Sequence, residues 1–113
     1  LKNNNLLPED KKKWIDFEIV KTSTFDALTN KHNVKKINLL IIDVEGYDFE
    51  IIKFFDFKKF NVDIVCYENS HLSEEDSISC IKYLEKLNYK LIKIGDDNIA
   101  FSKSFLAIND MFN

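Results

Sequence analysis

Side chains that could hold a polar ligand or move a proton fall at three places in this chain. Asp43 and Glu45 lie around Gly46, Glu68 precedes Asn69 and His71, and Asp97 sits in a turn near the carboxyl end. Carboxylates accept hydrogen bonds from hydroxyls, and an imidazole beside a carboxylate can be tuned to act as a general base near neutral pH. General acid–base work on a bound polar ligand is therefore the chemistry this set suggests. Other chemistries lack their parts. Asp43, Glu45 and Glu68 are hard oxygen ligands, but their spacing matches no closed Mg²⁺ or Ca²⁺ motif, so no metal ligand is assigned. No glycine-flanked serine or Cys/His pairing supports nucleophilic catalysis, and phosphoryl transfer would need a second aspartate beside Asp43 and a phosphate loop.

These residues need elements to position them. Lys36 to Asp43 reads as a buried strand that stops at two acids and a glycine, and Tyr47 to about Phe57 reads as the helix that returns the chain. In that helix Phe49, Ile52 and Phe55 share a face with Ile51 alongside, while Asp48, Lys53 and Asp56 are expected to stay wet. Val62 to Glu68 is a second apolar strand that again ends in an acid. Ser73 caps the next helix, with Asp76 as the partner of a capping box and Ile81, Leu84, Leu87 and Cys80 as its apolar stripe. Tyr89 to Ile94 and Ile99 to Phe101 flank Gly95-Asp96-Asp97-Asn98, which predicts an antiparallel hairpin. The segment from Phe105 reads either as a short closing helix without a clear cap or as a fraying tail. Upstream, Phe17 to Thr22 alternates like a strand, and Ser23 or Thr24 caps a helix with Asp26 in its first turn and Phe25 and Leu28 on its apolar face. Residues 1–15, with three asparagines, the only proline and three consecutive lysines, read as a linker or flexible lead-in, and 16–113 as the ordered α/β part.

Strands alternating with helices require a mostly parallel sheet covered by helices, with right-handed crossovers. If the strands ending at Asp43 and Glu68 are parallel neighbours, their ends lie about 4.8 Å apart. Their acids then share one rim, at the carboxyl ends of strands where open α/β sheets bind ligands. The Asp96-Asp97 turn reaches the same rim, and the returning strand can lie between its hairpin partner and the Glu68 strand.

Composition narrows the function classes. The chain has 113 residues, 45% hydrophobic and 31% charged, with a formal net charge of −3, which suits one globular domain. Its lysines are scattered among acids and form no basic stripe, so no nucleic-acid partner is expected. No apolar run approaches the roughly 18 residues that span a bilayer and no signal sequence opens the chain, so a cytoplasmic setting without membrane attachment is expected. Cys66 and Cys80 are read as reduced core residues. His32 is read as a solvated loop residue.

Several stretches in order resemble the FkbM family of S-adenosylmethionine-dependent methyltransferases. They are Thr22-Ser23-Thr24-Phe25-Asp26-Ala27-Leu28, Ile41-Ile42-Asp43-Val44-Glu45-Gly46-Tyr47-Asp48-Phe49-Glu50-Ile51-Ile52 and Tyr67-Glu68-Asn69-Ser70-His71-Leu72. Asn88-Tyr89 and Asp97-Asn98-Ile99-Ala100 are similar to its closing segments, with Asn88 for a more usual glycine and Asn98 for a more usual threonine. The resemblance covers about Val20 to Phe101. It implies a partial Rossmann-like class I methyltransferase fold with a closing antiparallel strand, and transfer of a methyl group to an oxygen of a sugar or other hydroxylated small molecule, with S-adenosylmethionine as cofactor.

On that resemblance Asp43, Glu68 and His71 are the candidates for catalysis, and Glu45, Gly46, Tyr47, Asn69 and Asp97 for acceptor binding. The family's cofactor grip, a glycine-rich turn, precedes the region matched. This chain has only Gly46 and Gly95, which form no Gly-x-Gly pair, so its cofactor-binding residues remain unassigned. The chain thus reads as the second half of the fold, the acceptor side. The alternative is a non-catalytic remnant or interaction module. Without an upstream neighbour the strand ending at Asp43 is an exposed apolar edge, which invites pairing with an upstream segment or self-association.

Overall fold

The computed structural model describes residues 16–111. The expected lead-in at 1–15 lies outside the described residues. Helix α1 (Phe25–Lys31) precedes strand β1 (Leu39–Ile42), helices α2 (Asp48–Phe54) and α3 (Phe57–Phe60), strand β2 (Ile64–Glu68), helix α4 (Glu74–Lys86), strands β3 (Tyr89–Ile94) and β4 (Asp97–Ser102), and helix α5 (Lys103–Asp110). The sheet order is β1-β2-β4-β3. β1 and β2 are parallel, and β4 runs antiparallel to both β2 and β3. The returning strand therefore does sit between its hairpin partner and β2. "Mostly parallel" holds for strand direction, since β4 alone is reversed, but only the β1–β2 ladder is a parallel pairing.

Local chemistry explains the element ends. Thr24 accepts from Ala27 N–H to start α1, and Ser73 does the same for α4 through Asp76 N–H. The expected single helix from Tyr47 to Phe57 breaks in two, because Phe55 adopts an extended conformation and Asp56 caps α3 through the N–H groups of Lys58 and Lys59. The β3–β4 hairpin turns on two residues, with Gly95 at φ +62 in the first position, where a type II′ turn favours glycine. The cap missing from the reading of α5 is Ser102, whose side chain accepts from Phe105 N–H.

Register decides where the core lies. Leu40, Val65, Ala100 and Leu91 form one cross-sheet row, and Ile42, Tyr67, Asn98 and Lys93 the next on the same face. All but Leu91 and Lys93 are buried there, under Phe49 and Ile52 of α2 and Cys80 and Leu84 of α4. Phe55 gathers Phe25, Phe57 and Phe60 around it, with the Phe25 ring centroid 5.1 Å away edge-on. The alternate rows, Leu39-Ile64-Phe101-Lys90 and Ile41-Cys66-Ile99-Ile92, come out on the other face. There Leu39 is 51% and Ile41 68% exposed, and α5 reaches only one end, by stacking Phe105 on Phe101.

Four further expectations need correction. Helices cover one face of the sheet, not both, because no described element packs across the second. Phe17 to Thr22 forms no strand; its backbone has no ladder partner, and Phe17, Ile19 and Val20 are exposed. Leu28 is half exposed, while Thr29 is buried and bonded to Phe25 O. Cys80 is a buried free thiol, as read; Cys66 is free but only half buried, because it lies on the open face. Among the described residues no helix is long and apolar enough to cross a membrane.

Candidate acceptor site at the strand ends

The chain leaves β1 into a tight turn, with Tyr47 N–H bonded to Val44 O at 3.3 Å. Both central residues have positive φ, Glu45 at +54 and Gly46 at +95, the pattern of a type I′ turn. Gly46 is required twice over. Its φ disfavours a side chain, and a Cβ there would stand 2.8 Å from the carbonyl oxygen of His71. The turn therefore presses directly on the loop that follows β2. Glu45 holds a left-handed conformation without glycine's freedom, which costs about 1–2 kcal/mol and is sustained by the surrounding bonds.

The main anchor is a residue the sequence reading left in solvent. Asp48 is fully buried at the start of α2. One carboxylate oxygen accepts from Gly46 N–H at 3.3 Å and the other from Glu68 N–H at 3.2 Å. It fastens the turn after β1 to the last residue of β2. Helical periodicity placed Asp48 on the wet face, but a first-turn carboxylate can fold back onto the N–H groups of the preceding turn, and that glycine turn was the available signal.

What Asp48 fixes is a cluster. His71 Nδ1 lies 3.0 Å from Glu68 Oε2 and 3.2 Å from Glu45 Oε2, and Ser70 Oγ donates to Glu68 Oε1 at 2.6 Å. One ligand atom from each of Glu45, Glu68 and His71 lies within 4.8 Å of the others, an arrangement that could also hold a cation. Glu68 is largely shielded, whereas Glu45 and His71 face solvent. The bond from Ser70 and then that from His71 hold the Glu68 carboxyl below its usual range. Glu68 in turn raises His71, with smaller help from the charges of Glu45 and Asp43.

Of the residues singled out in the sequence, the fold brings Glu45, Gly46, Glu68 and His71 into this one cluster. Asp97 joins the rim as the cross-strand partner of Glu68. Asp43 lies just beyond β1, exposed, with no hydrogen bond or ion pair among the described residues, so it does not cap the turn. Tyr47 is exposed at the start of α2. Asn69 is turned inward: its side-chain oxygen accepts from Ser77 Oγ at 2.7 Å and Asn98 Nδ2 at 3.0 Å, and its N–H bonds Asp96 O. It locks β2 to α4 and the hairpin. Asp26 ion-pairs with Lys59 far along the chain, and His32 is exposed at the end of α1.

Neither glycine of the chain belongs to a Gly-x-Gly turn of the kind that cradles a nucleoside cofactor. Gly46 is closed off by His71, and Gly95 serves a hairpin.

Comparison with curated proteins and with solved structures finds no match. The family described as methyltransferase FkbM domain matches residues 2–91. The matched region begins well before Val20 and ends within β3, so it takes in the lead-in and leaves out β4. With most of its length matched, and its acidic turn, β2 end and histidine loop assembled at one rim, the chain belongs to the FkbM methyltransferase domain family.

Proposed function

We propose that this chain supplies the acceptor side of an S-adenosylmethionine-dependent O-methyltransferase acting on a neutral hydroxylated small molecule, such as a sugar. Methyl transfer in general follows from the family. The observation that carries the finer reading is the face on which the chemistry emerges. Glu68 and Asp97 continue the alternation of the uncovered rows, not of the buried ones. A cofactor-binding layer seated on the open face would thus arrive beside the very carboxylates and imidazole that can prepare an acceptor.

The residues in hand support the acceptor's half of the chemistry. With its Nδ1–H directed to Glu68, a neutral His71 keeps the Nε2 lone pair for the proton of an acceptor hydroxyl. Glu68 holds the ring and favours the imidazolium that forms. Ser70 and the Asp48 bond to Glu68 N–H fix Glu68 in turn. Asp43, Glu45, Tyr47 and Asp97 are exposed acceptors and donors for the remaining hydroxyls. So many carboxylates at one rim disfavour an anionic acceptor and suit a neutral polyol.

The test is transfer of labelled methyl from S-adenosylmethionine to hydroxylated acceptors by the polypeptide that carries this segment, with His71→Asn beside the parent. A fall in turnover of about 10²–10⁴ with cofactor affinity unchanged is expected. Unchanged turnover would remove His71 from the reaction.

A further inference from the structure

The end of the sheet opposite the acidic rim has the reverse character. A cavity of about 630 Å³ opens between α3, the start of β3 and the start of α5, and is lined by Lys58, Lys86 and Lys103 with Asn88, Ser102 and Ser104. No acid lines it, in a chain with 19 acidic residues. None of the three lysines has an ion-pair or hydrogen-bonded side-chain partner among the described residues, whereas Lys36, Lys53 and Lys59 each pair with a carboxylate. Three exposed lysines without a carboxylate partner around one concavity give it a positive potential that favours an anion.

The backbone adds a donor at the same place. In the first turn of α5 the Lys103 N–H goes to Asn88 O at 2.9 Å and the Phe105 N–H to Ser102 Oγ at 3.2 Å. Ser104 N–H, between them, is left without a protein acceptor among the described residues, beside a hydroxyl that shares a 3.1 Å contact with Ser102 Oγ. Point charges, hydroxyls and a free N–H around a cavity of ligand size are the parts of a phosphate pocket.

We propose that this cavity binds a phosphate-bearing small molecule, at a second site separated from the acceptor rim by the length of the sheet. The rim selects against negative charge and the cavity selects for it, so the two sites take different ligands.

Inorganic pyrophosphate is the probe, titrated into the chain by calorimetry and followed at the Ser104 amide by NMR. Saturable binding is expected, with a Ser104 shift that tracks it and an affinity loss of about tenfold or more in Lys86→Gln/Lys103→Gln. Lys82→Gln, on the same helix outside the cavity, should bind as the parent does. Absence of saturable binding, or equal weakening by Lys82→Gln, would overturn the proposal. If the double variant loses its fold by circular dichroism, Lys58→Gln alone supplies the comparison, and the same two results decide.

Discussion

The two faces of the sheet are made from the same four strands, one residue out of step, yet they meet opposite surroundings. On one, Leu40, Val65 and Ala100 lie buried under α2 and α4. On the other, Leu39 and Ile41 are largely open although they are just as apolar. Because side chains alternate with a period of two, this difference cannot come from β1's composition, which is uniformly apolar; it comes from what is packed against it. A strand apolar on both sides is the pattern of a sheet meant for two covering layers, and the described residues provide one. Glu68 and Asp97 belong to the unfinished face.

This contrast can be broken most sharply in the core. Ile52→Ala, under the covered face, should cost about 2–5 kcal/mol in chemical denaturation. Comparable in size is Asp48→Ala, which strands two N–H groups at about 1–3 kcal/mol each. Asp48→Asn should recover part of that loss, since an amide oxygen can keep one bond. An Asn variant as damaging as Ala would mean that charge, rather than acceptance, holds the turn. Ile41→Ser on the open face should change stability by no more than about 0.5 kcal/mol while reducing self-association in sedimentation. A loss comparable to Ile52→Ala would show that something already covers that face.

The smallest effect is a titration. His71 should lose its proton above the ordinary imidazole value of 6.5, and Glu68→Gln should bring its midpoint, read by NMR, back toward that value. The proton held on His71 stabilises the fold fully below pH 6.5 and ceases to do so as pH rises through the raised value. The lowered Glu68 contributes above its ordinary 4.5, and that contribution fades as pH falls through the lowered value. Turnover that needs neutral His71 should rise with pH along the same displaced limb.

How much of this was legible beforehand follows from what sequence patterns encode. Apolar runs and turn residues marked β1, β2, the α4 cap at Ser73 and the β3–β4 hairpin, because each is a local signal. The rim shared by the ends of the Asp43 and Glu68 strands and the Asp96-Asp97 turn followed once those strands were taken as parallel neighbours, as they are. Long-range bonds were not legible. Asp48 was read by helix periodicity and lost to solvent, although it ties residues 20 positions apart. Asn69 was read as an acceptor contact, and its side-chain oxygen is instead engaged by Ser77 and Asn98, bonds that no local pattern announced. Phe17 to Thr22 alternates like a strand, yet alternation forms a strand only where a neighbour offers its ladder, and none of the described residues does.

The proposed division, with the acceptor side of methyl transfer in this chain and the cofactor grip not supplied by it, rests on the missing glycine-rich turn. Calorimetric titration of S-adenosylmethionine into residues 1–113 tests it directly. The account predicts no saturable heat; a stoichiometric binding isotherm would contradict it.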